Sequence, residues 1–146
     1  MIIDNKLMKY VLFKKRTEKE VRTKCKQFDY TNDYVDEIID YLKEADYIDD
    51  ELYIKKYIQN VMRLKKCSVF EIKMDLLRRG IEDEIIEKYV DETLYEYEEQ
   101  CAIELAQKKY RADGEIEKVK RYLMNKGYSH SNVSKAIDNL EKLEDN

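Results

Sequence analysis

Apolar residues recur along this chain at helical spacing, in blocks that repeat. The block from residue 72 to residue 90 has apolar side chains at Ile72, Leu76, Ile81, Ile86 and Val90. A shift of 51 residues toward the N-terminus places on them Val21, Cys25, Tyr30, Val35 and Ile39. A shift of 47 residues toward the C-terminus places on them Val119, Leu123, Tyr128, Val133 and Ile137. Repeats of this length without internal gaps predict three similar stacked helical units.

Helix start and stop signals divide each unit further. Thr17–Glu20 and Ser68–Glu71 have the form of a capping box, in which the first and last residues bond reciprocally at a helix N-terminus. Gly80, about ten residues after the second box, and its equivalent Gly127 in the third unit stand where a left-handed residue would end the middle helix. Asp29 takes the same place in the first unit, and we expect it to be left-handed there.

The outer helices of each unit are predicted from their apolar stripes. The last helix has apolar pairs in the first two units and a weaker set in the third: Tyr34, Val35, Ile38 and Ile39; Ile85, Ile86, Tyr89 and Val90; Asn132, Val133, Ala136 and Ile137. The leading helix of the second unit would begin at Asp49 or Asp50, with an apolar stripe at Leu52, Tyr53, Tyr57, Ile58 and Val61. No helix breaker lies between residues 83 and 112, so one helix or two could occupy that stretch.

These patterns predict an all-α fold, an elongated array of about nine helices in three tandem three-helix units. We assign the units to residues 1–50, 51–96 and 97–146. Composition agrees, because the chain has no Pro and only three Gly, with 41% charged residues. The sequence lacks the apolar run of a signal peptide or a membrane span, so we expect a cytoplasmic protein that does not enter a membrane.

The charges alternate along the chain although the net charge is only −4. Residues 6–28 have nine Lys/Arg and two acids, whereas residues 29–52 have one Lys and ten acids. Residues 53–79 and 80–100 repeat this alternation, and the third unit does so weakly. The first two helices of a unit are thus basic and the last is acidic. Either the opposite charges help neighbouring helices pack, or the protein has a basic edge that binds a charged partner.

The candidate partner-binding residues form that basic edge: Lys14, Lys15, Arg16, Lys55, Lys56, Arg63, Lys65, Lys66, Arg78 and Arg79. Tyr53, Tyr57 and Tyr110 lie near these charges and could stack on bases. Tyrosines at helical spacing are more often core residues with a solvated hydroxyl, and we favour that interpretation.

Little in the sequence points to catalysis or cofactors. His130 is the only histidine, and no nucleophile or ligand stands at a matching spacing. With three scattered glycines there is no phosphate-cradling loop. Cys25, Cys67 and Cys101 lack metal-ligand spacing, so we expect reduced thiols in or near the core. We therefore expect no enzyme activity, no catalytic residues, no metal and no cofactor.

Taken in order, several segments resemble the RecX family of regulators of the bacterial RecA recombinase. They are "RTEKEVRTKC", "YIDDELYIKKYI", "DLLRRGIEDEIIEKYV", "AIELAQKKY" and "VKRYLMNKGYSHSNVSKAID", which span about residues 8 to 140. Each is weak alone, but their order, spacing and threefold recurrence are specific. The chain departs from the family pattern at Phe28–Asp29, where a basic residue and Gly are usual. It departs again at residues 67–70, "CSVF".

The resemblance implies a function that periodicity cannot give. Proteins of this family lie along the groove of the RecA filament on single-stranded DNA, limit its growth or promote its loss, and so inhibit recombination. This chain is expected to act likewise in DNA repair, recombination and the SOS response, as a monomer, with at most weak direct DNA contact. Two other functions stay open: a helical DNA-binding protein that acts without a recombinase, and a general helical-repeat scaffold.

Overall fold

The computed structural model describes residues 1–145, and in that range the chain is built of helices without a strand. The nine helices are α1 Asn5–Phe13, α2 Glu18–Cys25, α3 Asn32–Glu44, α4 Asp50–Leu64, α5 Val69–Arg78, α6 Asp83–Glu87, α7 Glu92–Asp113, α8 Ile116–Asn125 and α9 His130–Glu144. The all-α prediction and the helix count are confirmed.

Three separate apolar cores lie along the array. The first joins α1, α2 and α3 around Leu7, Val21 and Ile38, and the second joins α4, α5, α6 and the start of α7 around Ile54 and Leu76. The third joins α7, α8 and α9. The accessible surface is 9736 Å², against roughly 7,900 Å² for a compact monomer of this mass. Each core is thus small, and the chain is extended, as predicted.

The sequence signals for the middle helices are mostly confirmed. Both capping boxes form, and Gly80 and Gly127 have φ of 92° and 88°. The prediction for Asp29 is wrong: it is not left-handed, because α2 ends in successive i to i−3 bonds from residues 26, 27 and 28 that need no reversal. The left-handed residue of the first unit is Asp46 at the end of α3, with φ of 62°.

Residues 83–112 hold two helices, which settles the question that the sequence left open. α6 ends at Glu87 in a tight turn, and the Asp91 side chain accepts from the N–H of Leu94 to begin α7. The predicted stripe at Tyr89 and Val90 therefore lies beyond α6. The predicted boundary at residues 96 and 97 falls within α7, and the division into units at those numbers stays a prediction.

Cysteine placement follows the sequence expectation. Cys25 and Cys101 are buried in the first and third cores, Cys67 is half-buried, and all three are free thiols.

Consecutive units are joined by a hydrogen bond between the ends of their middle helices. The Thr17 hydroxyl, which caps α2, donates to the carbonyl of Arg79 at the C-terminus of α5 at 2.6 Å. The Ser68 hydroxyl, which caps α5, donates to the carbonyl of Lys126 at the C-terminus of α8 at 2.7 Å. Thr17 and Ser68 are fully buried. One hydroxyl thus satisfies polar groups of two helices that meet end to end.

The glycines make this end-to-end contact close. A Cβ on Gly80 would lie 2.3 Å from the Cβ of Lys19, and a Cβ on Gly127 would lie 2.8 Å from the Cβ of Phe70. Lys19 and Phe70 are equivalent residues in the first turns of α2 and α5. The glycines therefore serve two purposes, a left-handed helix end and room for the preceding unit.

A carboxylate completes each junction. Asp50 on α4 accepts from the backbone N–H of Glu18 at 2.9 Å, and Glu98 on α7 accepts from that of Val69 at 2.7 Å. Glu98 is 1% exposed and also accepts from the N–H of Ser129 and the side-chain amide of Asn132. Burial raises the pKa of Asp50 above its usual value. Both carboxylates neutralise the positive N-terminal end of a middle helix.

We predict that Gly127→Ala destabilises the fold far more than Gly114→Ala. Both glycines have positive φ, but a Cβ on Gly114 would meet no atom within 4 Å. The backbone strain common to both costs about 1 kcal/mol, and the clash with Phe70 adds about 2 kcal/mol. Urea unfolding of the two variants checks this. Equal losses would mean that the junction is looser than described.

We also predict that Thr17→Val costs more than Thr31→Val. Each hydroxyl accepts from a backbone N–H at 3.1 Å as an N-cap, so both variants lose about 1 kcal/mol. Only Thr17 also donates to the next unit, and leaving the Arg79 carbonyl unpaired costs about 1–2 kcal/mol more. The free energies of unfolding give the comparison, and a Thr31→Val loss as large as that of Thr17→Val would contradict it.

Candidate partner-binding groove

A groove of about 290 Å³ opens where the first and second units meet. Its walls come from four places: the linker between α1 and α2, the linker between α3 and α4, one face of α4, and the end of α5. The lining residues are Lys14, Lys15, Arg16, Asp46, Tyr47, Asp49, Leu52, Tyr53, Lys56, Tyr57, Asn60 and Arg79. The junction brings these segments together, because Arg79 supplies the carbonyl that Thr17 binds.

Half of the ten basic residues predicted for partner binding line this groove: Lys14, Lys15, Arg16, Lys56 and Arg79. The other five lie elsewhere. Lys55 faces the ring of Tyr89 at 5.8 Å, and Lys66 forms an ion pair with Glu104 at 2.9 Å. Arg78 lines a neighbouring cleft, and Arg63 and Lys65 are exposed near the end of α4.

The groove cations are of two kinds. Lys14, Lys15 and Lys56 are exposed, and within residues 1–145 none of them has an ion-pair partner. Arg16 stacks on the Tyr10 ring at 3.7 Å and donates to the Tyr10 carbonyl, which fixes its direction. Arg79 is already held by neighbours. The three lysines are therefore the charges available to a partner.

A hydrogen-bonded chain of side chains forms one wall. Arg79 donates to the Tyr53 hydroxyl at 2.5 Å and to Asp75 at 3.3 Å, and the Tyr57 hydroxyl also donates to Asp75. Burial would raise the pKa of Asp75, but the bond from Tyr57 and the charge of Arg79 outweigh it, and the pKa is lowered. Burial and the bond to Asp75 raise the pKa of Tyr57. Tyr53 and Tyr57 are half-buried, and their hydroxyls are hydrogen-bonded to Arg79 and Asp75. This agrees better with the interpretation of these tyrosines as core residues than with a role in stacking on bases.

Sequence reasoning missed several residues around the groove. Leu52 was expected in the apolar stripe of α4, but it is 40% exposed, since Ile54 and Val61 take the buried positions. Tyr47 is 38% exposed beside it. The spacing Leu52, Tyr53, Lys56, Tyr57 and Asn60 puts all five on one helix face, which is the signal that could have identified this wall.

The neighbouring cleft extends the basic surface along α2. Its lining includes Lys19 and Lys24, which were not among the predicted residues, together with Arg78 and the shared Arg79. Lys24 lies 5.3 Å from the Tyr10 ring centre. Basic side chains thus continue from the groove over the junction between the first two units.

The junction between the second and third units has the same hydrogen bonds but a different surface. Lys66, which corresponds to Lys15 at a shift of 51 residues, is paired with Glu104. Cys67 replaces Arg16, and its N–H donates to the Tyr97 hydroxyl at 3.2 Å. That hydroxyl donates in turn to the Lys65 carbonyl at 2.7 Å. The linker backbone at this junction is tied to α7, and Lys66 is paired where Lys15 is not, so the second linker presents fewer unpaired cations than the first.

Internal ion pairs account for part of the alternating charge, as the packing interpretation predicts, and the partner-binding interpretation stays a prediction. In the first unit, Arg22 pairs with Asp36 at 2.8 Å and Lys43 pairs with Glu18, which joins α2 to α3. In the second unit Lys73 of α5 pairs with Glu87 of α6 at 2.7 Å. Such exposed pairs contribute only about 0–1 kcal/mol each. The groove lysines are among the cations of this pattern for which residues 1–145 supply no ion-pair partner.

The described residues show neither a metal centre nor a membrane span. No cluster of three or more His, Cys, Asp or Glu side chains that could hold a metal ion occurs within residues 1–145. None of the helices described above is long and apolar enough to cross a membrane.

Comparison with known sequences gives relatives over most of the chain. Residues 96–137 match the family model described as RecX, third three-helix domain, which covers most of α7, all of α8 and the start of α9. The Regulatory protein RecX of Caldanaerobacter subterraneus is 34% identical over 124 residues. That of Clostridium beijerinckii is 36% identical over 130 residues. Each alignment covers 84% of this chain, which spans 62% and 60% of the two relatives.

Solved structures agree with the sequence relatives. The crystal structure of RecX from Lactobacillus salivarius matches with a TM-score of 0.84 and 29% identity, over 94% of this chain and 93% of that chain. A second crystal structure, of a regulatory protein RecX, matches with a TM-score of 0.81 at 24% identity, which supports the fold alone. The relatives are named as regulatory proteins.

We predict that Tyr57→Phe destabilises the protein by about 1–2 kcal/mol at pH 7, since Asp75 loses a half-buried hydrogen-bond donor. Asp75 has a lowered pKa, so its contribution is present above the unfolded value and is lost as pH falls through the folded one. The penalty should therefore shrink below about pH 4. Urea unfolding at several pH values measures it, with Tyr95→Phe, an exposed tyrosine, as control. A penalty independent of pH would contradict the role of the charged Asp75.

Proposed function

The chain belongs to the RecX family, and from that premise we propose that it is a regulatory protein that binds the RecA recombinase filament. It limits filament growth or promotes filament loss, and so restrains recombination and DNA repair. The observation that carries the proposal is the concentration of unpaired cations at one junction of a RecX-type array. An extended array with separate cores can follow the surface of a helical filament.

According to this proposal the protein catalyses no reaction. It acts by binding, as a monomer, and it needs no cofactor. The relatives' naming as regulatory proteins is in keeping with this. Lys14, Lys15 and Lys56 are proposed as the first contacts, because they are exposed and free to meet carboxylates or phosphates. The cytoplasmic location stays a prediction.

A helical DNA-binding protein without a recombinase partner is the second candidate. The basic cleft over α2 favours it, since Lys19, Lys24 and Arg78 lie next to the groove cations. The acidic residues 29–52 and 80–100 oppose it, because a duplex lying along the array would meet them closely. Binding to naked DNA at physiological salt, with a steep salt dependence, is the observation that would favour this candidate.

The test is the single-strand-DNA-dependent ATPase rate of the cognate RecA, with this protein titrated in. We predict loss of ATPase activity at well below one copy per recombinase, unchanged by excess DNA. Charge reversal by Lys14→Glu, Lys15→Glu and Lys56→Glu together should raise the concentration for half-inhibition by about tenfold or more.

The control reverses Lys118 and Lys120, which are exposed on α8 in the third unit. This variant should inhibit like the unaltered protein, and circular dichroism should show equal helicity in both variants. Inhibition that survives groove reversal would move the contact elsewhere on the array. No inhibition by the unaltered protein at any ratio would remove the proposed function.

A further inference from the structure

The groove combines free cations with an exposed apolar surface. Leu52 and Tyr47 are 40% and 38% exposed and line the same space as Lys14, Lys15 and Lys56. A surface made only for solubility would not place a leucine among lysines in a concave site. A ligand for this groove therefore needs both negative charge and an apolar group.

The size and shape limit what can enter. A volume of about 290 Å³ lies at the lower end of ligand pockets, which run from roughly 300 Å³. It has room for one or two side chains and not for a folded element. Leu52, Tyr53, Lys56 and Tyr57 share one face of α4, so an extended segment could run along that helix between the two linkers.

Two features favour a peptide over a nucleic acid. Asp46 and Asp49 lie on the groove beside the lysines, and a phosphate backbone would bring a fixed charge past them at every nucleotide. The hydroxyls of Tyr53 and Tyr57 are held by Arg79 and Asp75, which fixes these two rings in the wall, so neither is a freely presented stacking surface for a base. A peptide can place an uncharged residue opposite Asp46 and Asp49.

We propose that this groove binds an acidic segment of a protein partner, with a leucine or phenylalanine side chain as anchor. The anchor packs against Leu52 and Tyr47, and flanking carboxylates bind Lys14, Lys15 and Lys56. The proposal rests on the proposed function in one respect only, the identity of the protein that carries the acidic segment.

The test uses fluorescence anisotropy with a labelled probe peptide of sequence EEDLFEDE and the full chain. We expect binding with a Kd in the micromolar range that weakens as salt is raised. The peptide EEDSSEDE, which keeps the charge and lacks the anchor, should bind about tenfold more weakly. A labelled dT12 oligonucleotide is the competing ligand, and it should not displace the peptide at equal concentration.

Paired substitutions inside and outside the groove test whether the peptide binds there. Leu52→Ser should weaken binding of EEDLFEDE about fivefold or more, whereas Leu64→Ser should change it by less than about twofold. Leu64 is an exposed leucine at the end of the same helix and does not line the groove. The pair Lys56→Gln and Lys55→Gln makes the same comparison for charge, since Lys56 lines the groove and Lys55 does not. This pair replaces the leucine pair if Leu52→Ser does not fold.

Three results would overturn the proposal. They are no binding of EEDLFEDE, equal binding of the two peptides, or displacement of the peptide by dT12 with higher affinity. The recombinase ATPase assay is independent of these measurements. ATPase inhibition without peptide binding would leave the proposed function and remove the groove proposal, and peptide binding without ATPase inhibition would do the reverse.

Discussion

The array depends on one hydrogen bond that the chain makes twice. The hydroxyl at the N-cap of a middle helix donates to the carbonyl at the C-cap of the next middle helix, from Thr17 to Arg79 and from Ser68 to Lys126. Helix ends leave backbone groups unsatisfied, and burying them between units is possible only if each end pairs with the other. A glycine without a Cβ and a carboxylate at the opposite N-terminus follow from that contact.

The same constraint explains why a surface site forms at a junction. Joining the middle helices end to end brings the linker before α2 next to the end of α5 and the face of α4. Whatever side chains those linkers carry must then share a small space. At the first junction Lys14 and Lys15 have no ion-pair partner within residues 1–145. At the second, Glu104 pairs with the Lys66 side chain, and the Tyr97 hydroxyl bonds the backbone of Lys65 and Cys67. The two junctions thus share the same hydrogen bond but present different surfaces, and a binding site can form at one of them without forming at the other.

Much of this fold could be predicted because helix caps are local. The capping boxes at Thr17 and Ser68 and the left-handed glycines depend on a few consecutive residues, and they appear in the structure as expected. The prediction that Asp29 is left-handed was wrong. Its alignment with Gly80 and Gly127 does not determine how α2 ends when no glycine is present. The groove residues could be predicted only in part. Charge runs identified Lys14 and Lys56, but the sequence does not show that these two line the groove while Lys66 pairs with Glu104 and Lys55 faces Tyr89, because that depends on tertiary contacts.

The central claim is that the partner meets the array at the first junction. Photocrosslinking tests it directly, with p-benzoylphenylalanine placed at Leu52 in the groove or at exposed Leu143 near the far end of the array. On a RecA filament assembled on single-stranded DNA, our account predicts a crosslink to the recombinase from position 52 that is stronger than any from position 143. A crosslink from position 143 alone, or from neither position under conditions of full inhibition, would contradict it.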